Sequence, residues 1–470
     1  MCPHDPLPLP ASVKGFFLIA GIVTICCQLG ALAILWRFSR PRGLATLQGL
    51  FLSVAFVYHG VSLILISSFP GAEDYPGLAS VAATSEWRYL VGAAFLGFAA
   101  GGALTSSLFA QRHTSPNTAG RKRAEFSLPR PWVLLGLVLP MYLVALAGRG
   151  LVAPSTSQVG ATGYYSGGLT SQFLLVGMVV LALSILVHRG PKKLPLVLLG
   201  SSFAFALIGQ RTWVVGTAIL LLISLRRLGI SPSSKSLALA TIPILTVAIL
   251  LSSTRAVEGR QAFTFGSGYG TRISALDQGA RHMSVALTWS GFEQDYIGRL
   301  DGNVFPSFLV ERLAQGYRPT GWSPIVNGIG LAIPSFLNPH KADTSLSARN
   351  EEHYLESAYS APPNVNFLPT FFGSMCTYFG THWLPLLSAL LGAILAVLDW
   401  MLRKRSTITT LVFLALGTVA VGYESTPPNL WLSLRGAALL LIVIVVLRWF
   451  RDVATSSRSG TMTSASYHVT

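Results

Sequence analysis

The chain has 470 residues, of which 51% are hydrophobic and only 11% charged, and its formal net charge is +16. A soluble globular domain carries about 25% charged residues, so this composition excludes one. The basic excess does not indicate a nucleic-acid partner. It gathers in short connections between apolar runs, the bias that orients a membrane protein without any polyanion.

In chain order, the apolar runs predict eleven membrane spans. They fall at 13–36, 44–68, 87–110, 131–149, 169–188, 194–210, 212–225, 236–253, 380–402, 407–424 and 429–449. A hydrocarbon core of about 30 Å needs about 20 such residues. The first run is too long for the apolar region of a signal peptide and reads as an anchor. Basic clusters follow every second span: Arg37/Arg40/Arg42, Arg121/Lys122/Arg123, Arg189/Lys192/Lys193, Arg226/Arg227/Lys235, Arg403/Lys404/Arg405 and Arg448/Arg451. That alternation puts the N-terminus outside and the C-terminus in the cytoplasm. Cys2, Cys26, Cys27 and Cys376 form no metal-ligand spacing and no disulfide framework.

The fold expected is all-α and polytopic, with about eleven transmembrane helices and one large extracytoplasmic loop domain. Four units follow: a transmembrane bundle over 1–252, the loop domain over 253–363, a second bundle over 364–451 and a disordered cytoplasmic tail over 452–470. The loop holds ten of the 18 acidic residues but only nine of the 34 basic ones. A structureless connection of that length is improbable unless it is functional. Within it, 321–339 is apolar but punctuated by Gly and Pro, so it lies in the interface or dips back rather than spanning.

The stretch FAFALIGQRTWVV (203–215) puts an arginine inside an apolar run from 194 to 225. One helix of that length would be about 48 Å long, so two short spans meeting at Gly209-Gln210-Arg211 are expected. Isolated in lipid, Arg211 would cost about 3 kcal/mol. Arg255 and Arg260 follow the eighth span, and Arg435 sits inside the outer end of the eleventh. These four are predicted to line an outer-face site for a pyrophosphate, because the guanidinium fork pairs bidentately with phosphate and stays charged. A pyrophosphate at headgroup level implies a lipid-linked substrate. Arg88 and Arg149, at span ends, read as snorkelling or capping residues. His59, in the second span, reads as a satisfied intramembrane histidine.

With GQR (209–211), STR (253–255), one long outer loop, and Asn366, Tyr378, Phe379 and Gly380 after it, the chain resembles the Wzy-type polymerases of O-antigen and exopolysaccharide repeat units. The resemblance implies a glycosyltransferase of the bacterial cytoplasmic membrane whose active site faces the exterior. Its substrates would be undecaprenyl-pyrophosphate-linked oligosaccharides, with a flippase and a chain-length regulator as protein partners. It implies neither cofactor nor metal. The arginines would stabilise the leaving pyrophosphate and a base would deprotonate the acceptor hydroxyl. Base candidates are His282, Glu258, Glu351 and His353; Trp322, Tyr354 and Tyr359 are candidate sugar-stacking faces. Other readings stay open. An O-antigen ligase, or another polyprenyl-phosphate-dependent glycosyltransferase, would share the arginine site. A lipid-linked oligosaccharide transporter would more often show an internal repeat, and none is visible.

Overall fold

The computed structural model describes residues 11–38, 45–68, 86–111, 128–146, 168–208, 211–258, 269–286, 288, 301–333, 337, 358–360, 370–403 and 407–423, and parts of 431–446. Every regular element among them is a helix. They are α1 (Ala11–Phe38), α2 (Leu47–Phe56), α3 (Ser62–Ser68), α4 (Trp87–Gln111), α5 (Pro131–Leu146), α6 (Gly168–Arg189), α7 (Leu194–Ile208) and α8 (Arg211–Arg227). Next come α9 (Ser234–Glu258), α10 (Tyr269–Arg281), α11 (Met283–Ala286), α12 (Val304–Ala314), α13 (Ser323–Ala332), α14 (Phe371–Phe379), α15 (Leu384–Met401) and α16 (Thr407–Val421). A π-helical turn, Val57–Val61, joins α2 to α3.

Six stretches are long and apolar enough to cross a membrane: Gly21–Phe38, Leu47–Leu65, Trp87–Phe109, Pro191–Ile208, Ser234–Thr254 and Thr381–Met401. Three further apolar stretches, Pro131–Leu143, Phe173–Arg189 and Ile408–Val421, are shorter among the described residues, the second of them as part of the 22-residue helix α6. The chain is thus an all-helical protein with membrane-type helices, and six candidate spans stand among the described residues.

The 194–225 run does divide. α7 ends at Ile208 and α8 begins at Arg211. The rings of Phe205 and Trp213 meet edge-to-face at 5.6 Å. On one straight helix these positions would be separated by about 12 Å of rise, so the chain turns between them.

The closest helix pair is α4 against α15. Three glycines let the two backbones touch. A Cβ on Gly97 would collide with the carbonyl oxygen of Pro385, one on Gly101 with that of Ala389, and one on Gly392 with that of Phe98. Small residues four apart let backbones approach where lipid offers no hydrophobic drive, and dispersion replaces it. Around this pair, Phe51 stacks on Phe98 at 5.3 Å and meets Tyr423 edge-to-face at 5.2 Å.

Polar contacts tie helix ends into two levels. At one, Asp399 near the end of α15 accepts from the backbone N–H groups of Leu47 and Gln48 at 2.8 and 3.1 Å. It thereby caps the orphan donors that open α2, beside Thr46, whose hydroxyl oxygen accepts from Gly49 N–H. At the same level Arg227, the last residue of α8, donates to the Leu402 carbonyl at 2.7 Å and lies 4.0 Å above the Phe413 ring. At the opposite level the end of α2–α3, the start of α4 and the end of α16 converge on Asn303 and Thr370.

Described parts of the 253–363 segment, mostly helical, include residues at this second level. Phe305, Phe308, Leu309 and Tyr359 form a small core there. Val310 of the same helix belongs to the main core with Phe372. Among the described residues of the 321–339 stretch, one short helix, α13, forms. It exposes Trp322, Val326, Ile329 and Ile333, an apolar stripe at helical spacing. Two backbone bonds, Thr320 N to Thr377 O and Gly321 N to Tyr378 O, hold its start against α14.

Replacing Gly101 by Val should splay α4 from α15. Overpacking of this kind costs about 1–3 kcal/mol. The expected result is a lower thermal unfolding midpoint of the detergent-solubilised protein, while Gly136→Ala, whose Cβ meets nothing within 4 Å, leaves the midpoint within error.

Candidate functional site

The second level of the bundle holds two built clusters. In the first, the ends of α7 and α9, the start of α8 and the whole of α10 come together. Phe205, Val214, Leu251 and Leu276 form its apolar base, with Leu207 and Trp213 against them. The α9–α10 contact is close because Gly279 has no side chain: a Cβ there would strike Thr254. Ser253 adds a hydroxyl donor to the Gly279 carbonyl at 2.7 Å. The STR stretch is therefore clamped against α10, and α10 is laid beside the α7–α8 turn.

Arg272 of α10 completes this cluster. It is 3% exposed, and its Nη1 donates to the Leu207 carbonyl at 3.3 Å. That carbonyl belongs to the last turn of α7, where orphan acceptors favour a cation. Burial pulls the Arg272 pKa down, and Tyr142 partly opposes the shift. A guanidinium remains charged through such a change. Sequence reasoning passed over Arg272 because it follows a polar stretch and breaks no apolar run. Its spacing from Gly279, about two helical turns, is the one signal that could have found it.

The predicted site residues divide as follows. Arg211 opens α8 and Arg255 lies on α9, three residues before Glu258 ends that helix; for these three the description covers the backbone. Arg211 is three residues before Val214 and Arg255 four residues after Leu251, both members of the cluster's apolar base. Arg435 is partly buried on the final helical stretch. Arg260, Glu351, His353 and Tyr354 lie outside the described residues. His282 is exposed just beyond α10, where its backbone N–H donates to the Gln278 carbonyl. Its neighbour Arg281 pairs with Asp277 at 2.8 Å on an open surface, a contact of small energetic weight. Trp322 is 63% exposed and sets its ring edge against Phe379 at 4.6 Å.

Tyr359 corrects the expectation placed on it. Its ring is fully buried, and its hydroxyl donor lies 3.0 Å from the Thr377 carbonyl and 3.3 Å from that of Arg318. A ring with no accessible face offers none to a sugar. The physical reason is local: Phe305, Phe308 and Leu309 of α12 leave one apolar surface to be covered, and Tyr359 covers it.

The second cluster surrounds His59, which lies in the π-helical turn. Such turns inside α-helices widen the backbone and recur at functional sites. Asn303 Oδ1 faces His59 Nδ1 at 3.0 Å and accepts from Trp87 Nε1 at 3.2 Å. Asn303 Nδ2 donates to the His59 carbonyl at 3.1 Å and to the Ser62 hydroxyl at 3.0 Å. Since Oδ1 only accepts, His59 carries its proton on Nδ1, and Nε2 accepts from the Tyr423 hydroxyl at 2.8 Å. The histidine is thus satisfied as anticipated, and the network around it joins four separate parts of the chain, at 59–62, 87, 303 and 423. The same junction holds Gly302 N–H on the Tyr58 carbonyl at 3.0 Å and Phe371 N–H on the Tyr423 carbonyl at 3.1 Å. Thr370, next to it, has φ 54 and ψ 159, a strained backbone for a β-branched residue. Its hydroxyl oxygen accepts from Gly373 N–H as the cap of α14.

Asn303→Ala should be costly out of proportion to its size. It orphans the buried Trp87 and His59 donors, at about 1–3 kcal/mol for each group. We expect a clear fall in the unfolding midpoint. Combined with His59→Ala, the loss should be less than the sum of the two single losses, because both remove one network.

Compared with models of protein families, with curated proteins and with solved structures, the chain gives no match.

Proposed function

We propose that this protein is a multi-pass enzyme that polymerises undecaprenyl-pyrophosphate-linked oligosaccharide repeat units at the outer face of the bacterial cytoplasmic membrane. In this reading about eleven helices cross the membrane, the N-terminus is outside and the C-terminus is cytoplasmic, and 253–363 is extracytoplasmic. The two levels of polar contact support that topology. Helix ends assigned inside, those at Leu47, Arg227 and Asp399, meet one another. Ends assigned outside behave likewise: those at Ser62 and Trp87 meet Asn303, and that at Tyr423 joins them through His59.

One observation carries the catalytic reading. A buried arginine, Arg272, is fixed at the last turn of α7, where α8 then opens with Arg211 and α9 delivers Arg255. A cation at the first turn of a helix opposes the helix dipole. An anionic ligand at that place would remove the conflict. It would accept from the guanidinium forks and the free N–H groups of α8 together.

The chemistry follows. The acceptor sugar hydroxyl forms a new C–O bond at the anomeric carbon of the donor glycan. The bond from that carbon to the pyrophosphate oxygen breaks, and the hydroxyl proton passes to a base. Charge grows on the departing pyrophosphate, and fixed arginines lower the barrier by meeting it without reorganising. Glu258, three residues after Arg255 at the end of α9, and His282, three residues after Gly279, are the base candidates nearest this cluster along the chain. The exposed stripe of α13 suits the headgroup level of the membrane beside it.

The test is a product assay with purified protein and one lipid-linked repeat unit. We expect a ladder of lipid-linked oligomers spaced by one repeat. Arg211→Ala and Arg255→Ala should abolish the ladder while the protein stays folded in the membrane. Arg211→Lys should retain little, since a point charge replaces a fork. Wild-type product from Arg211→Ala would end the reading. A product formed only with a lipid A–core acceptor would make the enzyme a ligase.

A further inference from the structure

A cavity of about 480 Å³ opens between α6 and α7, away from the arginine cluster. Leu181, Ile185 and Leu196 supply apolar walls, and Arg189 and Lys193 stand at the end where the two helices join. The join is tight: Gly190 takes φ 89, and a 3-10 turn over Pro191–Lys193 leads into α7. This brings both cations to one mouth. Each is exposed, and among the described residues neither makes an ion pair. Ser201, a polar residue on the wall, donates its hydroxyl to the Leu198 carbonyl at 3.2 Å and makes no demand on an occupant. Gly200 also lines the cavity, and a Cβ there would meet nothing within 4 Å. The glycine leaves the slot open.

An apolar slot beside the hydrocarbon core favours an acyl chain over water. Two cations at its mouth, lacking acidic partners, favour a negatively charged headgroup. Basic pockets between membrane helices recognise anionic lipids in this way. We propose that the α6–α7 groove is a binding site for an anionic glycerophospholipid, with one acyl chain between the helices and the phosphate at Arg189 and Lys193. The volume falls in the range of about 300–1,000 Å³ typical of small-ligand sites. The site needs no catalysis and stands apart from the polymerase reading.

The experiment titrates the full-length protein in detergent with phosphatidylglycerol, or with phosphatidylcholine of the same acyl chains, and follows the unfolding midpoint. Phosphatidylglycerol should raise the midpoint saturably and phosphatidylcholine should not. Arg189→Gln with Lys193→Gln should weaken half-saturation by roughly thirtyfold, about fivefold for each basic residue lost. Gly200→Phe should fill the slot and remove the response, with an unchanged midpoint in phosphatidylcholine showing that the variant folds. Equal responses to both lipids, or an undiminished phosphatidylglycerol response in both variants, would overturn the proposal. So would an equal rise with inorganic phosphate, which would show that the acyl chain plays no part.

Discussion

The side-chain amide of Asn303 is the point on which the arrangement of this protein turns. Inside a bundle shielded from water, a polar group has to find its partner in the protein. Asn303 meets that demand for His59, Trp87 and Ser62 at once. It comes from a segment far along the chain, so the contact does more than satisfy hydrogen bonds. It pins the connection before α12 into the space that the π-helical turn opens between α2 and α3. The backbone bond from Gly302 to the Tyr58 carbonyl holds the same approach.

Other features follow from that pin. With the start of α12 fixed, Val310 joins the main core and Phe305, Phe308 and Leu309 collect Tyr359 into a second one. Tyr359 in turn reaches the Thr377 carbonyl at the end of α14. The helix α14 is also held at its start, where Phe371 meets the Tyr423 carbonyl. A polar set of four elements thus sets the platform beside which α13 exposes its apolar stripe. The glycine-lined α4–α15 contact gives this platform a rigid support, since backbones in direct contact have no side chain to rearrange.

The arginine cluster is built on a different principle. There the apolar base of Phe205, Val214, Leu251 and Leu276 aligns three helix ends, and Arg272 is buried among them at the cost of desolvation. The Leu207 carbonyl, an acceptor in the last turn of α7, accepts from one of the Arg272 N–H groups. On the backbone, Arg211 opens α8 and Arg255 lies in the last turn of α9, next to this base, and the proposed anion site is placed there.

The sequence by itself determined the helical, membrane-type character of the chain, because long apolar runs leave the backbone no other partner than itself. It also determined the break in the 194–225 run, since a helix of that length overshoots the bilayer, and the satisfied state of His59. It singled out Arg211 and Arg255 as candidates because each interrupts an apolar pattern. Only the tertiary structure decided that Arg272 is buried at the end of α7, that Tyr359 is walled in, and that Asn303 is the partner of His59. Those facts depend on contacts between residues separated by tens to hundreds of positions, such as His59 and Tyr423. Periodicity and spacing report what each residue needs; they do not report which distant residue will supply it.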